Sequence, residues 1–157
     1  MIVTLIFNII AVFLAWLESN KSYKHGFKLS LFVIFIFLAF RFDFGNDYMA
    51  YLDFFKDVNR SATFNPNSFI IKGNEIGWLY VNRLFGRLGF FIMVSFLAAF
   101  TCFALYNFIK KYVPPKYYWF AIFIYVFQPY NMLVLSSAMR QAVVVAIFLM
   151  AIDLIIR

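Results

Sequence analysis

The sequence is poor in the residues that carry most soluble enzyme chemistry. Its 157 residues include one cysteine, Cys102, and one histidine, His25. A single cysteine excludes a disulfide within the chain and any cysteine-based zinc spacing. Cys102 lies inside an apolar run, where a thiol behaves as a small buried hydrophobe. His25 lies in a basic loop and reads as a solvated residue, not as a metal ligand or catalytic base. Charge is scarce too. Only 13% of the residues are Asp, Glu, Lys or Arg, against about a quarter in soluble domains. With 65% hydrophobic and 24% aromatic residues, the chain is not a soluble domain. Internal repeats and low-complexity linkers are also missing, so the expectation is one transmembrane domain over residues 1–157.

What is present is a series of apolar runs. A helix crosses roughly 30 Å of hydrocarbon with about 20 residues at 1.5 Å each. Five runs meet this closely enough to predict an all-α, polytopic membrane helical bundle of about five transmembrane helices. They are Ile2 to Leu17, Phe27 to about Phe44, Gly89 to Ile109, Tyr117 to Leu135 and Ala142 to Ile156. The first has no basic region ahead of it and no small-residue cleavage site before Glu18, so it reads as a span and not as a removed signal peptide. Pro129 is expected to kink the fourth.

The net charge of +7 does not indicate nucleic acid, because the 14 Lys and Arg fall at segment ends instead of on one basic face. They read as topology signals and contacts to membrane lipids. Lys21, Lys24 and Lys28 crowd one loop; Lys110, Lys111 and Lys116 crowd another. Both loops belong on the cytoplasmic side, which puts the N-terminus outside and leaves residues 41–88 and 136–141 on the outer face.

The long outer segment contains helical spacing of its own. Tyr48, Tyr51, Leu52, Phe55 and Val58 share one helical face, and Asp53, Lys56, Asp57 and Arg60 the other. This predicts an amphipathic interfacial helix over Asp47 to Arg60. Ser61 to Asn74 reads as loop. A second amphipathic helix is expected from about Ile76, with Tyr80, Val81, Leu84, Phe85 and Leu88 inward and Arg83 and Arg87 outward.

Charges are costly near hydrocarbon, so those kept at a bilayer edge are candidates for a site. Asp47 would begin the first interfacial helix, where it serves either as a cap or as part of a pocket. Arg41 closes the second span, as a snorkelling anchor or an anion ligand, and Asp43 is a possible partner for it. Arg140 falls in the first turn of the last helix, behind a Ser136 or Ser137 cap. A cation there opposes the helix dipole by about 0.3–1 kcal/mol, and it also runs against the positive-inside rule; a lipid phosphate or a bound anion would account for it. Glu75 precedes the second amphipathic helix and shares a face with Asn82. Asp153 is expected to pair locally with Arg157.

The order of these pieces resembles the EpsG family of bacterial membrane proteins, relatives in role of the Wzy-type polysaccharide polymerases. The resemblance rests on Arg41 closing the second span, then Gly45-Asn46-Asp47-Tyr48 with Tyr51. Glu75-Ile76-Gly77-Trp78 with Asn82 follows, and Met139-Arg140-Gln141 opens a later span. Asn46 stands where Thr is more usual. Family members have many more spans, so the chain is expected to be the N-terminal portion of a longer protein, inactive alone if catalysis needs the remainder.

The resemblance implies a membrane polymerase extending exopolysaccharide, capsule or O-antigen from polyprenyl-pyrophosphate-linked repeat units, in the bacterial cytoplasmic membrane and alongside other polysaccharide-assembly proteins. It implies Asp47 or Glu75 as the catalytic base. Arg41, Arg140, Gln141, Tyr48, Tyr51 and Asn82 would bind substrate, and no metal or cofactor is implied. The competing readings are a transporter or accessory subunit of polysaccharide export and a structural membrane protein with no substrate.

Overall fold

A computed structural model describes residues 2–41, 47–60, 75–128 and 138–156. Seven α-helices occur among the described residues, and no strand. They are α1 Ile2–Ser19, α2 Gly26–Ala39, α3 Tyr48–Arg60, α4 Ile76–Leu84, α5 Phe90–Tyr112, α6 Tyr118–Phe127 and α7 Met139–Ile156. A 3-10 turn, Pro115–Tyr117, joins α5 to α6.

The helix α5 organises the bundle. Helices α2 and α7 pack against it, α1 packs against α2 and α6, and α3 pairs with α4. Two apolar clusters divide the interior. The C-terminal half of α5 contributes Ala98, Cys102, Leu105 and Ile109 to a cluster with α1, α2 and α6. The N-terminal half contributes Phe90, Met93, Val94 and Leu97 to a second cluster, built with Tyr48, Tyr51 and Phe55 of α3, Trp78 of α4 and Met139 of α7.

Length and apolarity single out two helices able to cross a membrane, α1 with 18 residues and α5 with 23. Helix α2 and the stretch Met139–Ile152 of α7 are shorter apolar helices, and α6 has ten residues. The expected second span stops earlier than its apolar run, because the backbone leaves the helix at Phe40. Outside the described residues lie the Arg41–Asp43 pairing, the Ser61 to Asn74 loop, the Pro129 kink, the Ser136 or Ser137 cap and the Asp153–Arg157 pair.

The lysine-bearing loops meet at one end. The Ser19 hydroxyl donates to the Pro115 carbonyl at 3.0 Å and accepts from the Trp119 amide at 3.3 Å, so the end of α1 is tied to the start of α6. Across the same turn, the Glu18 carboxylate accepts from the amide of Phe27 at 2.8 Å, satisfying an orphan donor of α2. Arg41, the start of α5 and the start of α7 lie at the other end.

Helix α3 buries Tyr48, Tyr51, Phe55 and Val58, the face its spacing predicts. That face meets α4 and α5 rather than lying bare on a lipid surface. Helix α4 departs from its prediction. Phe85 is buried and Val81 half-buried, as expected; Trp78, Leu79 and Asn82 are buried too, whereas Tyr80, Leu84 and Leu88, expected inward, are exposed. Apolar residues at a membrane boundary can face lipid without penalty, so apolarity alone misplaced this helix's inner face. Gly86 lets α4 close on α3, since a Cβ there would strike the Asn59 amide. Gly89, at φ 99°, makes the left-handed turn into α5.

The α1–α2 hairpin is tight at Gly26, where an added Cβ would strike the Leu14 carbonyl and lie 3.0 Å from the Glu18 amide nitrogen. Both obstacles are backbone and cannot swing away. Gly26→Ala should therefore destabilise the protein by about 1–3 kcal/mol, seen as a lower melting temperature in detergent. Gly77→Ala has open space around it and should leave the melt unchanged or slightly raised.

Candidate functional site

At the arginine end, four separated stretches of chain converge on Tyr51. The apolar face of α3 directs this residue inward, where it is 8% exposed. Its ring meets Trp78 of α4 edge to face at 5.4 Å between centroids. The Arg140 guanidinium, carried by the first turn of α7, lies over the same ring at 5.8 Å. Arg140 Nε also donates a long hydrogen bond, 3.4 Å, to the Tyr51 hydroxyl. On the far side of Arg140, Nη1 lies 3.5 Å from Glu75 Oε1.

The partners of this ion pair are 41% and 68% exposed on Arg140 and Glu75 respectively. A pair so open to solvent contributes little to stability, of order 0–1 kcal/mol. Glu75 stands at the N-cap of α4 yet makes no side-chain capping bond. Its carboxylate is directed to Arg140 instead of to its own helix.

Arg41 leaves the end of α2 and turns into the bundle. Its Nε is buried, and it borders a cavity of about 10 Å³ with Leu38, Thr101, Met139 and Ala142. Residues on either side of Arg140 thus adjoin Arg41. Burial pushes the Arg41 guanidinium down to about 10, opposed by the nearby phenols of Tyr48 and Tyr51. Arg41 thus lies near the buried face of α3, with Tyr48 the stronger of the two phenolic influences on it.

The other sequence candidates fall into two groups. Tyr48 is buried, its ring edge-on to Phe90 at 5.5 Å. Asn82 is fully buried; its Nδ2 donates to the Trp78 carbonyl at 2.7 Å, while its Oδ1 has no hydrogen-bond partner among the described residues. Asp47 is exposed and its carbonyl accepts the Tyr51 amide at 3.0 Å, which makes it the cap residue of α3. Its charge is felt at Arg140. Gln141 is exposed and is not among the residues gathered around Tyr51. Among the described residues, no group of three His, Cys, Asp or Glu converges to hold a metal.

Sequence reasoning passed over Asn59. Its Nδ2 lies 2.8 Å from the Phe55 carbonyl and 3.2 Å from that of Asn82, fastening α3 to α4 and so fixing where Trp78 and Glu75 stand. The available signal was its position, four residues after Phe55 on the buried face.

A model of the EpsG family matches residues 26–157, which include every residue of this cluster. The chain belongs to the EpsG family. No curated protein and no solved structure matches it. Membership associates the chain with membrane-bound polysaccharide assembly. Within this EpsG protein, the aromatic and cationic cluster joins residues from before α3, from α3 itself, from α4 and from α7.

The geometry makes Asn82 separable from the packing around it. Asn82→Leu removes the orphan oxygen together with the Nδ2 bond to Trp78, two opposed effects, and should change the thermal melt far less than a buried charge would. Asn82→Asp places a carboxylate at a fully buried position and should lower the melting temperature sharply. A melt in which the two variants behave alike would contradict this environment.

Proposed function

We propose that this EpsG protein takes part in polymerising polysaccharide from polyprenyl-pyrophosphate-linked repeat units at the outer face of the bacterial cytoplasmic membrane. The observation that carries the reading is a pair of arginines at the end of the bundle away from the lysine loops: Arg140 over Tyr51, and Arg41 against Met139 and Ala142 of the same helix. Under the positive-inside rule, those loops face the cytoplasm and the arginines face outward, across about five spans. The N-terminus is then outside.

The chemistry follows from the charges. An acceptor sugar hydroxyl attacks the anomeric carbon of the donor; a new C–O bond forms as the bond to the lipid pyrophosphate breaks. The hydroxyl proton passes to a carboxylate, and negative charge collects on the departing diphosphate. Arginine's planar fork suits phosphate oxygens, and a fixed cation at that place stabilises the developing charge. Arg140 is the more accessible of the two, and the Glu75 carboxylate occupies the position an anionic oxygen would take on it. Diphosphate binding would displace Glu75 and leave it free as the base. Asp47, exposed within the field of Arg140, is the other candidate for that role. Tyr51 acts as the support of Arg140, because its ring and hydroxyl are already engaged. Gln141 reaches substrate only from its exposed position.

Arg41→Ala and Arg140→Ala should each reduce chain extension by about 10²–10³-fold without loss of membrane insertion. Polymer length is read on gels from cells carrying each variant in the full gene. Unchanged length distributions in both would exclude the anion-binding role. Reconstitution with lipid-linked repeat units then separates polymerase, transporter and accessory subunit by whether bonds form, the lipid crosses, or neither occurs.

A further inference from the structure

A groove lies among the described residues, remote from the arginine cluster. It has a volume of about 450 Å³ between α2 and α5, walled by Leu31, Phe32, Phe35, Ala99, Cys102 and Phe103, with Lys28 and Tyr106 also lining it. The rings of Phe32 and Phe103 stand exposed at its lips. Lys28 is two residues into α2, beside the lysine-bearing loop, so it marks the end of the groove that opens toward that loop. Tyr106 holds a second cation there: Lys110 Nζ lies 3.1 Å from its hydroxyl and 5.2 Å from its ring centroid. The far wall is apolar.

We infer that this groove binds one acyl chain of an anionic phospholipid, with the lipid phosphate between Lys28 and Lys110. Three observations favour that occupant. The groove is open and hydrocarbon in character, lying between two apolar helices. Lys28 is the one cation among its lining residues, and Lys110 approaches the same end through Tyr106, which matches a molecule with a charged head and an apolar tail. Both cations lie at the lysine end, so a lipid-linked saccharide with its diphosphate on the arginines has its headgroup at the wrong end to fill it. Tyr106 is anchored for the task, its ring stacked on Phe27 at 5.6 Å, which fixes where Lys110 is presented.

The test uses the purified full chain in vesicles of phosphatidylcholine containing a trace of phosphatidylglycerol with a photoreactive acyl chain. Crosslinks are expected within residues 28–35 and 99–106, competed by unlabelled phosphatidylglycerol and not by further phosphatidylcholine. Lys28→Gln and Lys110→Gln should each weaken that competition about five-fold. Ala99→Trp, which fills the groove, should remove the crosslinks while leaving the lysines in place. The inference is overturned if phosphatidylcholine competes equally well, if Ala99→Trp leaves the labelling intact, or if undecaprenyl phosphate displaces the probe and phosphatidylglycerol does not.

Discussion

Burial of Tyr51 is the contact on which the arginine end depends. A phenol in an apolar cluster needs a partner for its hydroxyl, and Arg140 supplies one from a helix that begins 88 positions later in the chain. The same ring faces Trp78, so α4 and α7 are located by one side chain of α3. Asn59 and Gly86 close the remaining gap between α3 and α4. Glu75 then comes to Arg140 because the start of α4 has been fixed by this packing.

Much of the fold was legible because lipid and helix impose simple rules. The charge-free run in α5 reads directly as a span, and the structure extends it to Tyr112, through Lys110 and Lys111. The face of α3 was readable since its opposite face carries Asp53, Lys56, Asp57 and Arg60, which are all exposed. Helix α4 lacked that contrast. Asn82, a polar residue, is buried while Leu84 and Tyr80 are not, and no periodicity of apolar residues encodes such an arrangement. Helices α2 and α6 came out shorter than their apolar runs, because apolarity sets where a chain prefers to be and not where its backbone stops being helical.

The cluster was partly legible for a related reason. Arg41, Glu75 and Arg140 drew attention as charges beside hydrocarbon, an anomaly visible in one dimension. Tyr51 and Asn59 are ordinary members of a helix face, and their part in joining α3 to α4 and α7 is a matter of three-dimensional packing. Gln141 adjoins Arg140 in sequence, yet one helical step turns it outward.

Helix α1 makes three hydrogen bonds, through the side chains of Asn8 and Ser19, to groups much later in the chain. The amide of Asn8, buried in the bundle, donates to the Val126 carbonyl at 3.1 Å, and the Ser19 hydroxyl meets Pro115 and Trp119. In hydrocarbon there is no water to stand in for a missing acceptor. The Asn8 side chain therefore finds its acceptor 118 positions further along the chain, in α6, whereas the Ser19 hydroxyl also has one within α1, the Ala15 carbonyl at 3.1 Å. A chain cut before α6 would leave that buried amide group of the opening helix without its acceptor.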